Sequence, residues 1–241
     1  MQIPVIRGVI DRRILVNYRV EPDALRKVLP EPFRPQLVSG VGIGGICLIR
    51  LKQVRPRHLP AILGISSENA AHRIAVEWEQ DGKTRTGVYI PRRDTSSRLN
   101  TLLGGRVFPG VHHHATFETE EQDGRYCVSM SSDDGDAHVA VEGHCCENLP
   151  ETSIFGSLES ASNFFECGSL GYSATSSGAK YDGLELRTLN WNVEALSVER
   201  AESSFFGDGG VIATGTAEFD CALLMRDIEH EWHGRESLKA A

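Results

Sequence analysis

Short runs of β-branched and aromatic residues recur along the chain and are separated by polar clusters. Clusters of Gly, Asp and Gln, at 80–82, 133–136 and 207–210, predict hairpin turns between antiparallel strands. The pattern is therefore typical of a mainly β (α+β) protein built as an antiparallel meander or barrel. The predicted strands are 14–20, 43–54, 71–79, 84–91, 111–120, 125–131, 138–145, 183–199 and 211–224.

Three segments have helical spacing instead and predict short helices that cap the sheet. They are 22–29, 95–104 and 157–167, which begin or end at Pro, Ser, Thr or Gly residues suited to helix ends. Residues 169–178 are rich in Ser and Gly and are the one candidate for a flexible connector. We expect a single domain over 1–241, with a polar, frayed tail from about Gly234.

Composition narrows the classes of function. The net charge of -8 and the scattered basic residues argue against nucleic-acid binding. The N-terminus has no signal-peptide core, and no run is long enough for a membrane span, which favours a cytoplasmic protein. Six cysteines without a CxxC spacing predict reduced, mostly buried thiols. Small molecules are the expected partners, and no cofactor is expected.

A tract of three histidines opens the predicted strand at 111–120. Alternation places His112 and His114 on one face and His113 on the other, with Ala115 and Phe117, so His113 is expected to point inward. Three readings stay open: a polar strand edge, a general acid or base, and a metal pair completed by a third ligand.

Charged residues also stand at the ends of two predicted strands. Glu68 lies in the segment Ser66–Asn69, and Arg92 and Asp94 follow the strand at 84–91. Strand ends around a barrel mouth are common ligand sites, although without a known fold a surface ion pair is the preferred interpretation of such charges. The charges at Glu229–His233 are expected to be solvated.

Two segments resemble acetoacetate decarboxylases. The run NYRVEPDALRKVLPEPFRP from Asn17 is similar to the opening strand, helix and turn of that family, and residues Gly87–Ala115 are similar to its stretch from a Gly-x-Tyr-Val-Pro strand to a Phe-Pro-Lys-Lys motif. The chain as a whole, with SSEN, GRVFPG and FDCALLMRDIEHEW, resembles the uncharacterised bacterial YqjF-like branch of that superfamily more closely. The resemblance implies an antiparallel, barrel-like fold with a central small-molecule cavity. Since the decarboxylases assemble into oligomers, it also makes a homo-oligomer an open alternative to a monomer.

The same resemblance implies a site, but this sequence lacks the lysines on which the chemistry of the decarboxylases depends. The Schiff-base lysine of the decarboxylases falls on His112 and its neighbour on His113, and the matched motif contains no lysine, so Schiff-base decarboxylation is not expected. Arg19 matches a cavity arginine that would hold a carboxylate or enolate, and Glu68 matches a cavity glutamate that would exchange protons with a histidine. Arg92 and Asp94 would line the mouth.

The sequence therefore predicts a barrel that binds a small anionic or carbonyl-bearing molecule. Arg19, Glu68, Arg92, Asp94 and the tract His112–His114 are the expected site residues. His112, His113 and Glu68 are the candidates for lysine-independent acid/base chemistry such as hydration, enolisation or hydrolysis. The alternatives are a binding protein without turnover and a metal-dependent hydrolase or lyase that uses the histidines.

Overall fold

The computed structural model describes residues 4–103, 109–207 and 210–240, with only the backbone of Leu103. Its strands are β1 (Ile6–Val20), β2 (Arg34–Pro35), β3 (Leu37–Val38), β4 (Val41–Pro56), β5 (Ile65–Gln80), β6 (Lys83–Thr95), β7 (His112–Gln122), β8 (Arg125–Ser132), β9 (His138–Cys146), β10 (Leu170–Ala174), β11 (Lys180–Thr188), β12 (Glu194–Ser203) and β13 (Ala217–Lys239). The helices are α1 (Pro22–Val28), α2 (Arg98–Leu103), α3 (Leu158–Cys167) and a 3₁₀ turn at Ala61–Leu63.

All strands of the described residues belong to one twisted sheet, which is antiparallel except where β6 meets β7 and β10. The order β6-β7-β8-β9-β12-β13-β1-β4-β5 returns to β6 through the β5–β6 pairing. A second circuit runs from β6 through β10 and β11 to β13, because β11 also pairs with β13. The predicted barrel-like, mainly β architecture with short helices is confirmed.

Strand β1, which belongs to both circuits, is buried on both faces over Ile14–Tyr18. On β1, Ile14 and Val16 belong to one hydrophobic cluster, and Leu15, which points the other way, belongs to a second. A strand of this kind has no polar face to mark its orientation. Helix α3 covers the second cluster with Ala161 and Phe165, which are buried.

Three predictions about the second half of the chain are wrong. The predicted strand 183–199 is two strands, because β11 pairs with the C-terminal half of β13 while β12 pairs with β9. The strand predicted at 211–224 begins at Ala217 and continues to Lys239, so residues from Gly234 are not a frayed tail. Residues 170–174 form β10 and are not a connector.

Other sequence predictions can be compared with the described residues. Turns lie at 81–82 and 133–134 as expected, whereas the turn predicted at 207–210 and the end of the helix at Gly104 fall partly outside them. Helix α1 and helix α3 are confirmed. All six cysteines are free, but only Cys47 and Cys221 are buried. No helix in the described part of the chain is long and apolar enough to cross a membrane.

Candidate functional site

A cavity of about 160 Å³ lies against the face of the shared strands that carries the second hydrophobic cluster. Aliphatic side chains from β4, β6 and β11 and the indole of Trp232 on β13 form much of its wall. Into this apolar surround β1, β5, β6 and β7 bring four groups that can carry positive charge. These are Arg13, Arg73, Arg93 and His112.

Strand alternation places most of the β5 side chains that line the cavity on one face. Ser67, Asn69 and Arg73 are separated by even steps, share this face and line the cavity. Glu68 and His72 lie between them in sequence and do not line it. The polar residues of β5 that reach the cavity are therefore those at odd-numbered positions.

A β-bulge in β6 reverses the alternation of that strand. His72 pairs with Arg92 and Ile74 with Tyr89, so three steps on β6 oppose two on β5. The extra residue turns Arg93, which pairs with Ala71, toward the cavity. The parallel pairing of Arg93 with His112 then places His112 on the same side.

Arg73 is the most deeply buried of the three cavity arginines, with 5% of its surface exposed. Its Nη2 donates a hydrogen bond to Asn17 Oδ1, and its guanidinium carbon lies 4.8 Å from the centre of the Phe165 ring. Its Nε is buried without a hydrogen-bond partner in the described residues. Burial lowers the pKa of Arg73 to about 10, so it remains a cation at neutral pH.

Arg13 and Arg93 also lack a carboxylate partner within 4.0 Å among the described residues. Arg93 Nε donates to Ser173 Oγ at 3.1 Å, and burial lowers the Arg93 pKa to about 10. Arg13 Nε donates to Cys47 Sγ at 3.3 Å. Neither acceptor is a carboxylate, so among the described residues no carboxylate neutralises the positive charge of Arg13, Arg73 or Arg93.

His112 enters the cavity directly after a glycine turn. Gly110 has a φ of 80°, and a Cβ there would come within 2.8 Å of Ser173 Cβ, so the turn requires glycine. The Gly110 carbonyl oxygen lies 3.2 Å from His112 Nδ1. Burial, with the neighbouring Arg93 charge, lowers the pKa of His112 to about 3, which keeps the imidazole neutral at physiological pH.

Two amide side chains, Asn69 and Asn100, complete the polar part of the wall. Asn69 Oδ1 accepts a hydrogen bond from Thr95 Oγ1 at 2.8 Å, which fixes the orientation of that amide. Asn100 Nδ2 donates to Ser67 Oγ at 3.3 Å, while its Oδ1 is buried without a partner among the described residues. The cavity thus also offers an unused acceptor, which suits a hydroxyl or another donor on a ligand.

The structure does not bring Arg19 and Glu68 to this cavity, contrary to the convergence expected from the sequence. Arg19 pairs with Glu218 at 3.1 Å and with Asp220 at 3.7 Å, and donates to the Thr152 carbonyl oxygen at 3.2 Å. Glu68 faces the other side of β5, where it forms ion pairs with Arg12 and Arg50. Both residues are therefore already paired with other residues of the chain.

Arg92, His113 and His114 lie at a second polar cluster outside the cavity. Arg92 contacts both Asp94 and Asp134, at 2.9 Å and 2.8 Å. His113 Nδ1 lies 2.8 Å from Asp134, which makes it part of this cluster. Asp94 reaches the cavity wall, but its buried carboxylate is occupied by Arg92.

The orientation of the histidine tract corrects the expectation that His113 points inward. His113 does share a face with buried Ala115, as alternation predicts, but the cavity lies on the other face, with His112. His114 Nδ1 contacts Asp133 at 2.8 Å and does not line the cavity. Among the described residues, no group of three or more His, Cys, Asp or Glu side chains could hold a metal ion.

Sequence reasoning missed Arg13, Arg73, Arg93 and Cys47 as site residues. Arg73 stands in the run AAHRIAV and Arg13 immediately before ILV, so each is an arginine within an apolar strand. A buried arginine is rare unless it is paired, and this was the available signal. It could not say which face of a doubly buried strand the arginine occupies.

Comparisons of structure place the fold among acetoacetate decarboxylases. The acetoacetate decarboxylase of Legionella pneumophila subsp. pneumophila str. Philadelphia 1 matches with a TM-score of 0.61 and 10% identity over 99% of this chain and 88% of that one. An acetoacetate decarboxylase-like enzyme from Sphingomonas wittichii RW1 matches with a TM-score of 0.63 and 10% identity over 99% and 94%. The enduracididine biosynthesis enzyme MppR, solved with pyruvate, gives 0.58 and 12% over 100% and 91%.

Comparisons of sequence identify the family. A search of curated proteins gave no match. The model of the DUF2071 family, described as an uncharacterized conserved protein, matches residues 10–207. The chain therefore belongs to the DUF2071 family and has an acetoacetate decarboxylase-like fold.

Proposed function

We propose that the cavity binds a small organic anion, a carboxylate or enolate that also bears a carbonyl group. The observation that carries this proposal is the set of three guanidiniums, Arg13, Arg73 and Arg93, that line one cavity without a carboxylate partner in the described residues. A buried charge without a counter-ion costs several kcal/mol, so an anionic ligand stabilises this arrangement. Arginine also matches the planar geometry of a carboxylate.

The size of the cavity limits the ligand to a few non-hydrogen atoms. Its volume is about 160 Å³, and an apolar cavity of roughly 150 Å³ accommodates a molecule the size of benzene. A short oxo acid has this size. The structural neighbour MppR was solved with pyruvate, which supports the same class of ligand for this fold.

His112 is the group of this cavity that suits proton transfer. A neutral imidazole donates a hydrogen bond from one nitrogen and accepts at the other, so it can polarise a carbonyl or remove an adjacent proton. An anion bound beside His112 would favour its protonated form and bring its pKa closer to neutrality. The reaction we propose is lysine-independent acid/base chemistry, of which enolisation of the bound oxo acid is the simplest case.

The lysines of the chain support a mechanism without a Schiff base. All five are exposed in the described residues, and none lines the cavity. The five are Lys27, Lys52, Lys83, Lys180 and Lys239. The competing function is a binding protein with the same ligand and no turnover, which a neutral His112 also permits.

Binding and turnover can be measured separately. Calorimetric titration with pyruvate and acetoacetate should show binding, whereas pyruvamide and acetone, which lack the carboxylate, should not bind. Arg13→Gln should weaken binding by roughly 10–100-fold, corresponding to ~1.5–3 kcal/mol for a charged hydrogen bond. Arg7→Gln on the same strand is the matched control, because Arg7 pairs with Glu229 at 2.5 Å on the surface.

Proton exchange distinguishes the enzyme from the binding protein. Loss of the pyruvate methyl signal in D₂O, followed by NMR, reports enolisation, and His112→Phe should abolish the protein-dependent rate while pyruvate still binds. Binding without any exchange would support the binding protein. Equal binding of pyruvate and pyruvamide would contradict the anion site itself.

A further inference from the structure

We propose that Cys47 is a nucleophile of this cavity and captures small anionic electrophiles covalently. The inference rests on the proposed function, because the arginines that would bind the anion would also hold the electrophile next to the thiol. It adds a covalent site to a cavity that otherwise offers only binding and proton transfer.

The position of Cys47 follows from the alternation of β4. Cys47, Ile49 and Leu51 share one face and line the cavity, while Ile46 and Leu48 belong to the hydrophobic cluster on the opposite face. Cys47 is 7% exposed, so the thiol is shielded from bulk solvent but borders the cavity. An electrophile must enter the cavity to reach it.

The contact between Cys47 and Arg13 gives the thiol a chemical role. Arg13 Nε donates a hydrogen bond to Cys47 Sγ over 3.3 Å. A guanidinium in this position is a charged donor to the sulfur, so it stabilises the negative charge that develops on sulfur when the thiol proton leaves. The same group can therefore orient the nucleophile and attract the anion.

Arg73 gives an independent indication that an anion is held beside this thiol. It lines the same cavity and has only 5% of its surface exposed, and its Nε has no hydrogen-bond partner among the described residues. Backbone pairing joins Cys47 to Ala71, two residues from Arg73 on the same face of β5. A bound carboxylate thus has a cation close to the sulfur, which brings the reacting atoms together.

Among the described residues, no other cysteine lines the cavity. Cys221 is also buried, but it does not line the cavity, and burial together with Asp220 raises its pKa to about 12. Cys167 is exposed. Cys167 is therefore a suitable internal reference for the reactivity of an ordinary surface thiol.

With an oxo acid, the proposed step is a reversible addition. The sulfur forms a bond to the carbonyl carbon, the carbonyl π electrons move to the oxygen, and the thiol proton is transferred to that oxygen, giving a thiohemiketal. No oxidant or reductant is needed. With iodoacetate, the sulfur displaces iodide from the methylene carbon and the thiol proton is released to solvent, so the adduct is permanent and can be mapped.

The test compares two alkylating reagents that differ in charge. The folded protein is treated with limiting iodoacetate or iodoacetamide, and alkylation of Cys47 and Cys167 is quantified by peptide mass spectrometry. We expect the iodoacetate-to-iodoacetamide rate ratio to be at least about tenfold higher at Cys47 than at Cys167. Pyruvate should slow alkylation at Cys47 and leave Cys167 unchanged.

Two variants connect the result to the cavity. Arg13→Gln should lower the rate ratio at Cys47 toward that of Cys167, whereas the surface control Arg7→Gln should leave it unchanged. Pyruvate protection in the unmodified protein gives a second readout that does not depend on how well a variant folds.

The possible failures can be told apart. If calorimetry shows pyruvate binding but Cys47 reacts with neither reagent, the covalent inference is wrong and the proposed function stands. If Cys47 reacts with iodoacetamide as readily as with iodoacetate, relative to Cys167, the thiol is accessible but the anion-directed capture is refuted. If pyruvate neither binds nor protects, the proposed anion site fails as well.

Discussion

Replacing Arg73 with methionine separates a role in ligand binding from a role in stability. Methionine matches the side chain of arginine only as far as Nε, so it keeps an apolar stem and removes the charged guanidinium. Arg73 has no carboxylate partner in the described residues, so the substitution breaks no ion pair. We expect strong loss of anion binding with only a small change in the free energy of unfolding.

The magnitude follows from the contacts of Arg73. Its loss leaves Asn17 Oδ1 unpaired, at about 1–3 kcal/mol, and removes the contact with Phe165, worth about 2 kcal/mol in a desolvated site. Removing a buried, uncompensated charge stabilises the folded protein by several kcal/mol. These terms oppose one another, so the free energy of unfolding should change by less than about 2 kcal/mol, whereas breaking a buried ion pair typically destabilises by about 3–5 kcal/mol.

The assay combines urea unfolding with calorimetry of pyruvate. Arg73→Met should unfold near the midpoint of the unmodified protein and bind pyruvate roughly 10–100-fold more weakly. It should also lose most of the stabilisation that excess pyruvate confers on the unmodified protein. A loss of 3 kcal/mol or more in stability with unchanged pyruvate affinity would refute the reasoning, because Arg73 would then be a purely structural cation.

Three further predictions follow from groups on and around the sheet. Arg19→Leu should lower the melting temperature and leave pyruvate affinity unchanged, because Arg19 already pairs with Glu218 and Asp220. Weakened pyruvate binding without loss of stability would instead make Arg19 a ligand-binding residue. Burial and the Arg92 charge lower the pKa of His72 to about 3, so the stability it contributes is complete above pH ~6.5 and is lost as the pH falls from there toward 3. His72→Phe should therefore reduce the slope of unfolding free energy against pH in this window by up to about 1.4 kcal/mol per pH unit, and an unchanged slope in urea titrations would count against a neutral buried His72. Acetoacetate followed by borohydride should leave no reduced adduct on any lysine by intact-mass analysis, and an adduct on a lysine would restore Schiff-base chemistry.

The sequence was sufficient for the fold class because turns and alternation are local signals. The sequence did not predict the pairing of strands that are distant from each other along the chain. The polar residues after Gly234 look like a tail, yet they pair with β11 and extend β13 to Lys239. His230 was expected to be solvated but is fully buried. The pairing of β13 with β11 and the burial of His230 both depend on distant parts of the chain, so neither can be deduced from the sequence of β13 alone.

The candidate site was predictable only in part, for a related physical reason. The histidine tract was found, but the bulge that turns Arg93 and His112 toward the cavity leaves no pattern in the sequence of β6 itself. Arg19 was selected by resemblance, and its carboxylate partner Asp220 lies about two hundred residues further along the chain. Cavity and core faces of a doubly buried strand carry the same residue types, so periodicity cannot distinguish them.

The most direct test of the central claim is a crystal structure of the protein with pyruvate. The account predicts pyruvate in the cavity, with its carboxylate within hydrogen-bond distance of at least one guanidinium of Arg13, Arg73 or Arg93 and its carbonyl oriented toward His112 or Cys47. An empty cavity at saturating pyruvate, or pyruvate bound at Arg19 or Glu68 instead, would contradict it.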